Sequence, residues 1–174
     1  MLPSNLNIRI ATTEDAALIA DLSQRTFYDT FAAANTKANM DKFLREQFSR
    51  ELLIEEVGAP GNIFLLAEYN GQIAGYARLR EDNNPPELAG SATLEIARIY
   101  AVQEMIGMGI GKALMQQSVD IAREKNKKLI WLGVWEKNQP AIDFYTRWGF
   151  EKFSEHPFIV GDDVQTDWLM KRSV

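Results

Sequence analysis

The 174-residue sequence contains no cysteine and a single histidine, His156. Without cysteine the chain can form neither disulfides nor thiolate metal ligands, and a cysteine nucleophile is impossible. A cluster of histidines around a metal ion is excluded as well, so we expect no metal site. A Ser-His catalytic triad would have to use His156, although a lone histidine is more often structural than catalytic.

Long apolar runs and an excess of basic residues are also absent. No segment approaches the roughly 18 consecutive apolar residues of a membrane-spanning helix. The opening MLPSNLNIRI lacks the basic and apolar segments of a signal peptide, so we expect a cytoplasmic protein. A net charge of −5 argues against a nucleic-acid partner, because such proteins usually carry a basic surface.

What is present is typical of one globular domain over residues 1–174, with 46% hydrophobic and 25% charged residues. Apolar periodicity predicts seven strands, and Asn70-Gly71 is a strong hairpin signal. Antiparallel pairs early and late enclose β-α-β crossovers in the middle. The pattern predicts an α/β fold, with a mixed, twisted sheet and helices on both faces.

The segment IGMGIGKAL (residues 106–114) has glycine at every second position, between a predicted strand and a predicted helix. It does not match the dinucleotide fingerprint, whose third glycine would fall on Lys112. It does not match the nucleotide P-loop either, because Ile106 replaces the first glycine and Ala113 replaces the hydroxyl residue. The free N–H groups of a helix N-terminus can bind an anion, and glycines let a pyrophosphate approach. The alternative is a tight turn without a ligand.

Two segments resemble the GNAT superfamily of acyl-CoA N-acyltransferases. IGMGIG is similar to that family's [RQ]-x-x-G-x-[GA] segment, with Gly109 and Gly111 as the small residues and Ile106 in place of the usual Arg or Gln. LGVWEKNQPAIDFYTRWGF (132–150) resembles the later segment, in which an Asn precedes a short helix with a Tyr. RTFYDTF and WLGVWEKN are most similar to the spermidine/spermine (PaiA-like) branch.

The resemblance implies a single-domain fold whose central strands splay apart to admit acetyl-CoA. In the strand TLEIARIYAV, Ile99 breaks the alternation, which is compatible with a β-bulge at the splay. The resemblance implies direct transfer of the acetyl group from acetyl-CoA to a small primary amine in a ternary complex. Polyamines are one class of such amines. We expect these residues to bind the cofactor: Tyr100, Ala101, Val102, Gly107, Met108, Gly109, Ile110, Gly111, Lys112 and Asn138.

Two catalytic roles follow from the resemblance, each with a structural alternative. Tyr145 matches the family's tyrosine and is the candidate general acid toward the leaving thiolate; alternatively it is a packed aromatic residue. Glu95 is the candidate general base; alternatively it is a strand carboxylate in an ion pair, for example with Arg98. Asn138 could also serve as a helix N-cap before Pro140.

The acceptor side is less defined by the sequence. Tyr28 and Asp29, on the first predicted helix, are candidates for binding the amine, although helix surfaces ordinarily carry such residues. The final hairpin could pair with that of a second copy to form a homodimer. Because Ile106 departs from the family pattern, a non-catalytic sensor or interaction module that binds CoA or another anion remains the alternative function.

Overall fold

The computed structural model describes residues 3–174 and arranges them around one seven-stranded sheet of order β1-β2-β3-β4-β5-β7-β6. The elements are β1 (Leu6–Ile10), α1 (Ala16–Phe31), α2 (Lys37–Glu46), α3 (Arg50–Glu56), β2 (Asn62–Tyr69), β3 (Gln72–Glu81), β4 (Thr93–Ala101), α4 (Ile110–Glu124), β5 (Leu129–Trp135), α5 (Gln139–Arg147), β6 (Glu151–Val160) and β7 (Asp163–Ser173). Strands β4 and β5 are parallel, and the other neighbouring pairs are antiparallel. The predicted mixed α/β sheet is confirmed.

Local sequence signals account for several element boundaries. Thr36 and Ser49 cap α2 and α3, because each side-chain oxygen accepts a hydrogen bond from a backbone N–H three residues on. The β2–β3 hairpin turns at Asn70 and Gly71, which both have positive φ, as the tight turn requires. Among the described residues, no helix is long and apolar enough to cross a membrane.

The core lies on both faces of the sheet. On one face, Leu94, Ile96 and Leu132 pack with residues of α4 and α5. On the other face, Phe64 and Tyr76 pack with residues of α1 and α3. Because β2 and β5 are covered on both sides, their sequences contain the continuous apolar runs IFLLA and LIWLGVW rather than an alternating pattern.

The central strands separate partway along their length. Strands β4 and β5 pair from Thr93–Leu129 only as far as Ile96–Leu132, and both then continue without each other. The cause is visible on the other edge of β4, where Arg78 of β3 lies opposite Arg98 while Leu79 lies opposite Ile96. One extra residue, Ala97, therefore forms a bulge that bends β4 away from β5. The bulge indicated by the sequence is present, and the splay follows from it.

Candidate functional site

A cleft of about 920 Å³ opens where β4 and β5 diverge, and it reaches both faces of the sheet. Its walls are the diverging ends of the two strands, residues 96–101 and 133–135. On one face it is bounded by the glycine turn before α4 and by α5; on the other, by α1 and aromatic residues around it. Two molecules could therefore enter from opposite faces and meet between the strands.

The glycine turn presents unpaired N–H groups to this cleft. Gly107 and Gly109 both have a φ of 87°, in the left-handed region that favours glycine. Helix α4 begins directly after them, and its first N–H with a backbone acceptor is that of Ala113, which bonds to the carbonyl of Gly109 at 3.0 Å. Within residues 3–174, the N–H groups of residues 110–112 have no acceptor. Unpaired N–H groups at the positive end of a helix are able to bind an anion.

Eight of the ten predicted cofactor-binding residues line the cleft: Tyr100, Ala101, Gly107, Gly109, Ile110, Gly111, Lys112 and Asn138. Val102 does not, because its N–H bonds to the carbonyl of Ala74 and its side chain is buried in the α1 face of the core. Met108 lies outside the cleft lining as well. Ile106 lines the cleft and is 68% exposed, so the wall where the family pattern has Arg or Gln is apolar here.

Tyr145 lies on α5 at the cleft wall and is 8% exposed. Its ring contacts Phe144 and Phe150 edge-on, at centroid distances of 5.5 and 6.0 Å. Burial raises the pKa of the Tyr145 hydroxyl, so the group keeps its proton at neutral pH. Asn138 caps α5, with its Oδ1 accepting from the N–H of Ala141 at 3.4 Å, and also lines the cleft. Tyr145 is therefore a packed aromatic residue and Asn138 is a helix N-cap, and both also lie at the cleft.

Glu95 is not brought to the cleft. It is 6% exposed, and its carboxylate accepts hydrogen bonds from Arg80 at 2.6 and 2.9 Å and from Asn83 at 2.8 Å. The ion-pair alternative is therefore present, but the partner is Arg80. Arg98 instead donates to Glu56 at 2.7 and 2.9 Å. With its oxygens engaged away from the cleft, Glu95 is not positioned to act as the base.

The face opposite the glycine turn is aromatic. Six aromatic residues line the cleft there: Phe27, Phe31, Phe43, Phe48, Trp135 and Phe158. Of the two predicted acceptor-binding residues, Asp29 lines this part of the cleft, whereas Tyr28 is half-exposed outside it. Among the described residues, no group of three or more His, Asp or Glu side chains is arranged to hold a metal ion.

One cleft residue, Asp167 on β7, escaped the sequence analysis. Its Oδ1 is buried without a hydrogen-bond partner in the described chain, and its Oδ2 lies 3.8 Å from Nε2 of His156. Burial raises the pKa of Asp167 to about 6. The sequence contains one indication of its position: in VQTDWLM, Asp167 lies two residues before the buried Leu169, so both side chains share one face of the sheet. A carboxylate on an inward face needs an explanation.

Comparisons with known proteins address the family and the fold of the chain. The model of the acetyltransferase (GNAT) family matches residues 21–150. An uncharacterized N-acetyltransferase in the pepI 3′ region of Lactobacillus delbrueckii subsp. lactis is 39% identical over 88% of each chain. The spermidine N(1)-acetyltransferase of Thermoplasma acidophilum is 24% identical over 97% of each. The crystal structure of PaiA N-acetyltransferase from the same organism, in complex with coenzyme A, superposes with a TM-score of 0.75 at 21% identity, covering 97% of this chain and 99% of that one.

Proposed function

Because the chain belongs to the GNAT acetyltransferase family, we propose that it moves an acetyl group from acetyl-CoA directly to the nitrogen of a small primary amine. The observation that carries the proposal is the splay between β4 and β5, which joins an anion-binding turn on one face to an acidic, aromatic pocket on the other. Both substrates would be bound together, and the chain has no cysteine to carry an acyl group between them.

The residues on the donor face fit the diphosphate of CoA. The N–H groups of residues 110–112 are unpaired within the described chain and lie at the positive end of α4. Gly107 and Gly109 have no side chains to keep a phosphate away from the backbone. Because Ile106 supplies no charge, main-chain donors provide most of this recognition, with Lys112 at the same wall as the nearby cation.

Polarisation of the thioester carbonyl would fall to the edge of β4 that faces the cleft. Beyond Ile96 this edge has no partner strand, so its backbone donors are available for hydrogen bonding. A backbone donor aimed at developing negative charge in a site that excludes water contributes about 3 kcal/mol to catalysis. The bulge at Ala97 thereby contributes to function as well as to shape, since it frees this edge.

Tyr145 would protonate the departing sulfur. In water a thiol has a pKa of about 8.5 and a tyrosine about 10, so transfer from tyrosine to a thiolate is modestly uphill. Burial raises the pKa of Tyr145. The same apolar surroundings also raise the pKa of the thiol, so the difference between the two pKa values increases by less than the shift of Tyr145 alone. Within the described residues, the Tyr145 hydroxyl has no hydrogen-bond partner, which leaves its proton available to the cleft.

The acceptor face supports an amine whose body is apolar. Asp29 and Asp167 supply negative charge, while the aromatic rings can contact methylene groups and attract an ammonium through their faces. A polyamine such as spermidine has this combination of charge and methylene chain. The name of the Thermoplasma acidophilum relative points to the same class.

A panel of amines tests the function. Release of free thiol from acetyl-CoA would be followed with spermidine, spermine, an amino acid, a peptide N-terminus and an aromatic amine, and CoA binding would be measured separately by calorimetry. We expect turnover with at least one amine and the highest kcat/KM with a polyamine. CoA binding without turnover on any amine would favour the non-catalytic module; turnover confined to other amines would overturn the polyamine class alone.

A further inference from the structure

Asp167 and His156 form a pair whose position the transfer scheme leaves unexplained. They lie directly opposite each other in the antiparallel β6–β7 hairpin, and Trp135 of β5 lies opposite Asp167 on its other side. Asp167 lines the cleft, with a side chain only 16% exposed, whereas His156 is 48% exposed at the outer strand. The pair therefore connects the interior of the cleft with solvent.

Gly133 of β5 keeps the pair open toward the cleft. A Cβ built on Gly133 would lie 3.5 Å from Oδ2 of Asp167 and 3.9 Å from Nε2 of His156. Both side chains thus lie over the bare backbone of a residue that lines the splay. A larger side chain at this position would stand between the carboxylate and a ligand in the cleft.

The charges around Asp167 leave it with spare capacity to accept a hydrogen bond. Its Oδ1 is buried and has no partner among the described residues, a costly state for an ionised oxygen. His156 on β6 lies beside Asp167. The other titratable and charged groups that line the same cleft are Tyr100 and Arg98 on β4, Asp29 on α1, Lys112 on α4, and Tyr145 and Arg147 on α5. Of all these groups, His156 is the one whose side chain lies next to the Asp167 carboxylate, at 3.8 Å.

Arg98 does not neutralise Asp167, because its guanidinium is held by Glu56. Tyr100 is neutral at ordinary pH: burial raises its pKa, and the Asp167 charge adds to the effect. Strand β5 presents the uncharged Gly133 and Trp135 on this side. Oδ1 of Asp167 is thus buried without a donor, and a small side-chain movement would let it accept a hydrogen bond from a cationic group in the cleft, such as the ammonium of an acceptor.

We propose, resting on the transferase function above, that Asp167 takes the proton that the acceptor ammonium must lose and that His156 passes this proton to solvent. The amine enters as R–NH3⁺, and Asp167 becomes a neutral carboxylic acid as the amine becomes R–NH2. The proton then moves to Nε2 of His156 and on to water. The present separation of 3.8 Å is longer than a hydrogen bond, and a small side-chain rotation would close it.

The whole reaction balances with this route. One ammonium proton leaves through Asp167 and His156. The nitrogen then forms the C–N bond as the C–S bond breaks; Tyr145 gives its proton to sulfur and recovers one from the nitrogen. The net products are the acetamide, free thiol and one proton in solution. Glu95 cannot substitute for Asp167, since Arg80 and Asn83 occupy its oxygens.

The test compares D167N, D167E and H156Q with D163N, a control that makes the same change at an exposed position of the same strand. Rates would be measured from pH 5 to 9 with an amine that the wild type acetylates. For D167N we expect kcat to fall by about 100-fold, with CoA affinity unchanged. The acidic limb of kcat/KM near pH 6, which reflects the raised pKa of the Asp167 carboxyl, should disappear. D167E should retain the limb, and D163N should stay within twofold of the wild type.

H156Q provides an independent test, because it removes the imidazole that would carry the proton and keeps a polar side chain. We expect its kcat to fall at low buffer concentration and to recover as imidazole buffer is added, which a structural role would not produce. If the wild type turns over and D167N stays within threefold of it across the pH range, the proton route is overturned while the transferase function stands. If the wild type acetylates no amine, the transferase function falls, and this route falls with it.

Discussion

Arg80 donates two hydrogen bonds to Glu95, from Nε to Oε2 at 2.6 Å and from Nη2 to Oε1 at 2.9 Å. The two residues are direct cross-strand partners in β3 and β4, immediately before the bulge that creates the splay. Bidentate, charge-assisted pairs of this kind fix geometry strongly. The pair therefore stabilises the register of β3 and β4 next to the cleft rather than serving the chemistry within it.

Replacing Glu95 by Gln should accordingly affect stability more than catalysis. The change leaves the partly exposed guanidinium of Arg80 without its countercharge, and because solvent screens part of this loss we expect the free energy of unfolding to fall by about 1–2 kcal/mol. The kcat should stay within threefold of the wild type. Urea denaturation and initial rates would check both values. A 100-fold loss of kcat with unchanged stability would instead restore Glu95 as the base.

Replacing Tyr145 by Phe removes one hydroxyl and little else. Because that hydroxyl has no hydrogen-bond partner within residues 3–174, stability and CoA affinity should be unchanged. The kcat should fall at least tenfold, since the sulfur must then leave without a positioned proton donor. Y28F is the matched control: Tyr28 lies outside the cleft lining, so its kcat and KM should stay within twofold. Equal rates for Y145F and the wild type would assign Tyr145 to packing alone.

Two glycine-to-alanine changes separate backbone strain from cofactor binding. Gly109 and Gly90 have φ values of 87° and 80°, so alanine at either position should cost about 1–2 kcal/mol of stability. Only Gly109 lines the cleft and begins α4. We expect G109A to weaken CoA binding at least tenfold by calorimetry, whereas G90A should bind normally. Equal CoA affinity in the two variants would contradict the proposed role of the glycine turn.

The donor side of the site could be predicted from the sequence because it is largely main chain from contiguous segments. The glycines at 107, 109 and 111 and the capped helix after Asn138 show their local conformation in their own residue types. The broken alternation at Ile99 was compatible with a bulge, and the register of β3 and β4 places that bulge at Ala97. The positions of Val102 and Met108 outside the cleft lining could not be predicted, because they depend on the path of the folded chain before and through the glycine turn.

Most of the aromatic face of the cleft could not be predicted, because its groups converge only in the folded chain. Asp29 was a candidate from its position on the first helix, but Trp135 and Asp167 come from distant segments, and no local pattern links them to it. The partner of Glu95 could not be predicted for a related reason, because the pairing of Arg80 with Glu95 depends on the β3–β4 register before the bulge. Parity alone places a carboxylate on a face of the sheet, but it does not reveal the cation that meets it there.

Replacing Ile106 by Arg should increase affinity for CoA. Ile106 is exposed at the cleft wall, at the position where the family pattern has Arg or Gln. A guanidinium there can add a charge-assisted hydrogen bond to a phosphate. Because the site is exposed, we expect the Kd for CoA to fall by about three- to tenfold, and this effect should become smaller as salt is added. M108R adds the same charge two residues away, outside the cleft lining, and should have less effect. Equal gains in the two variants would indicate a general effect of net charge.

The raised pKa of Asp167 also predicts how stability depends on pH. Burial shifts this carboxyl from 3.8 to about 6, so between about pH 4 and pH 6 the folded chain binds more protons at this site than the unfolded chain. The free energy of unfolding therefore falls as pH rises through that window. The contribution lost is about 3 kcal/mol at most.

The same residue should thus show opposite effects on stability and on rate. D167N cannot ionise, so at pH 7.5 its free energy of unfolding should exceed that of the wild type by about 1–3 kcal/mol, with the difference vanishing near pH 4. D163N should show no such pH-dependent gain. Urea titrations at the two pH values check this, and a D167N variant that is less stable at pH 7.5 would contradict it. A destabilising carboxylate is retained in a chain when activity needs it, so a gain in stability combined with a loss of kcat would tie the buried charge to catalysis.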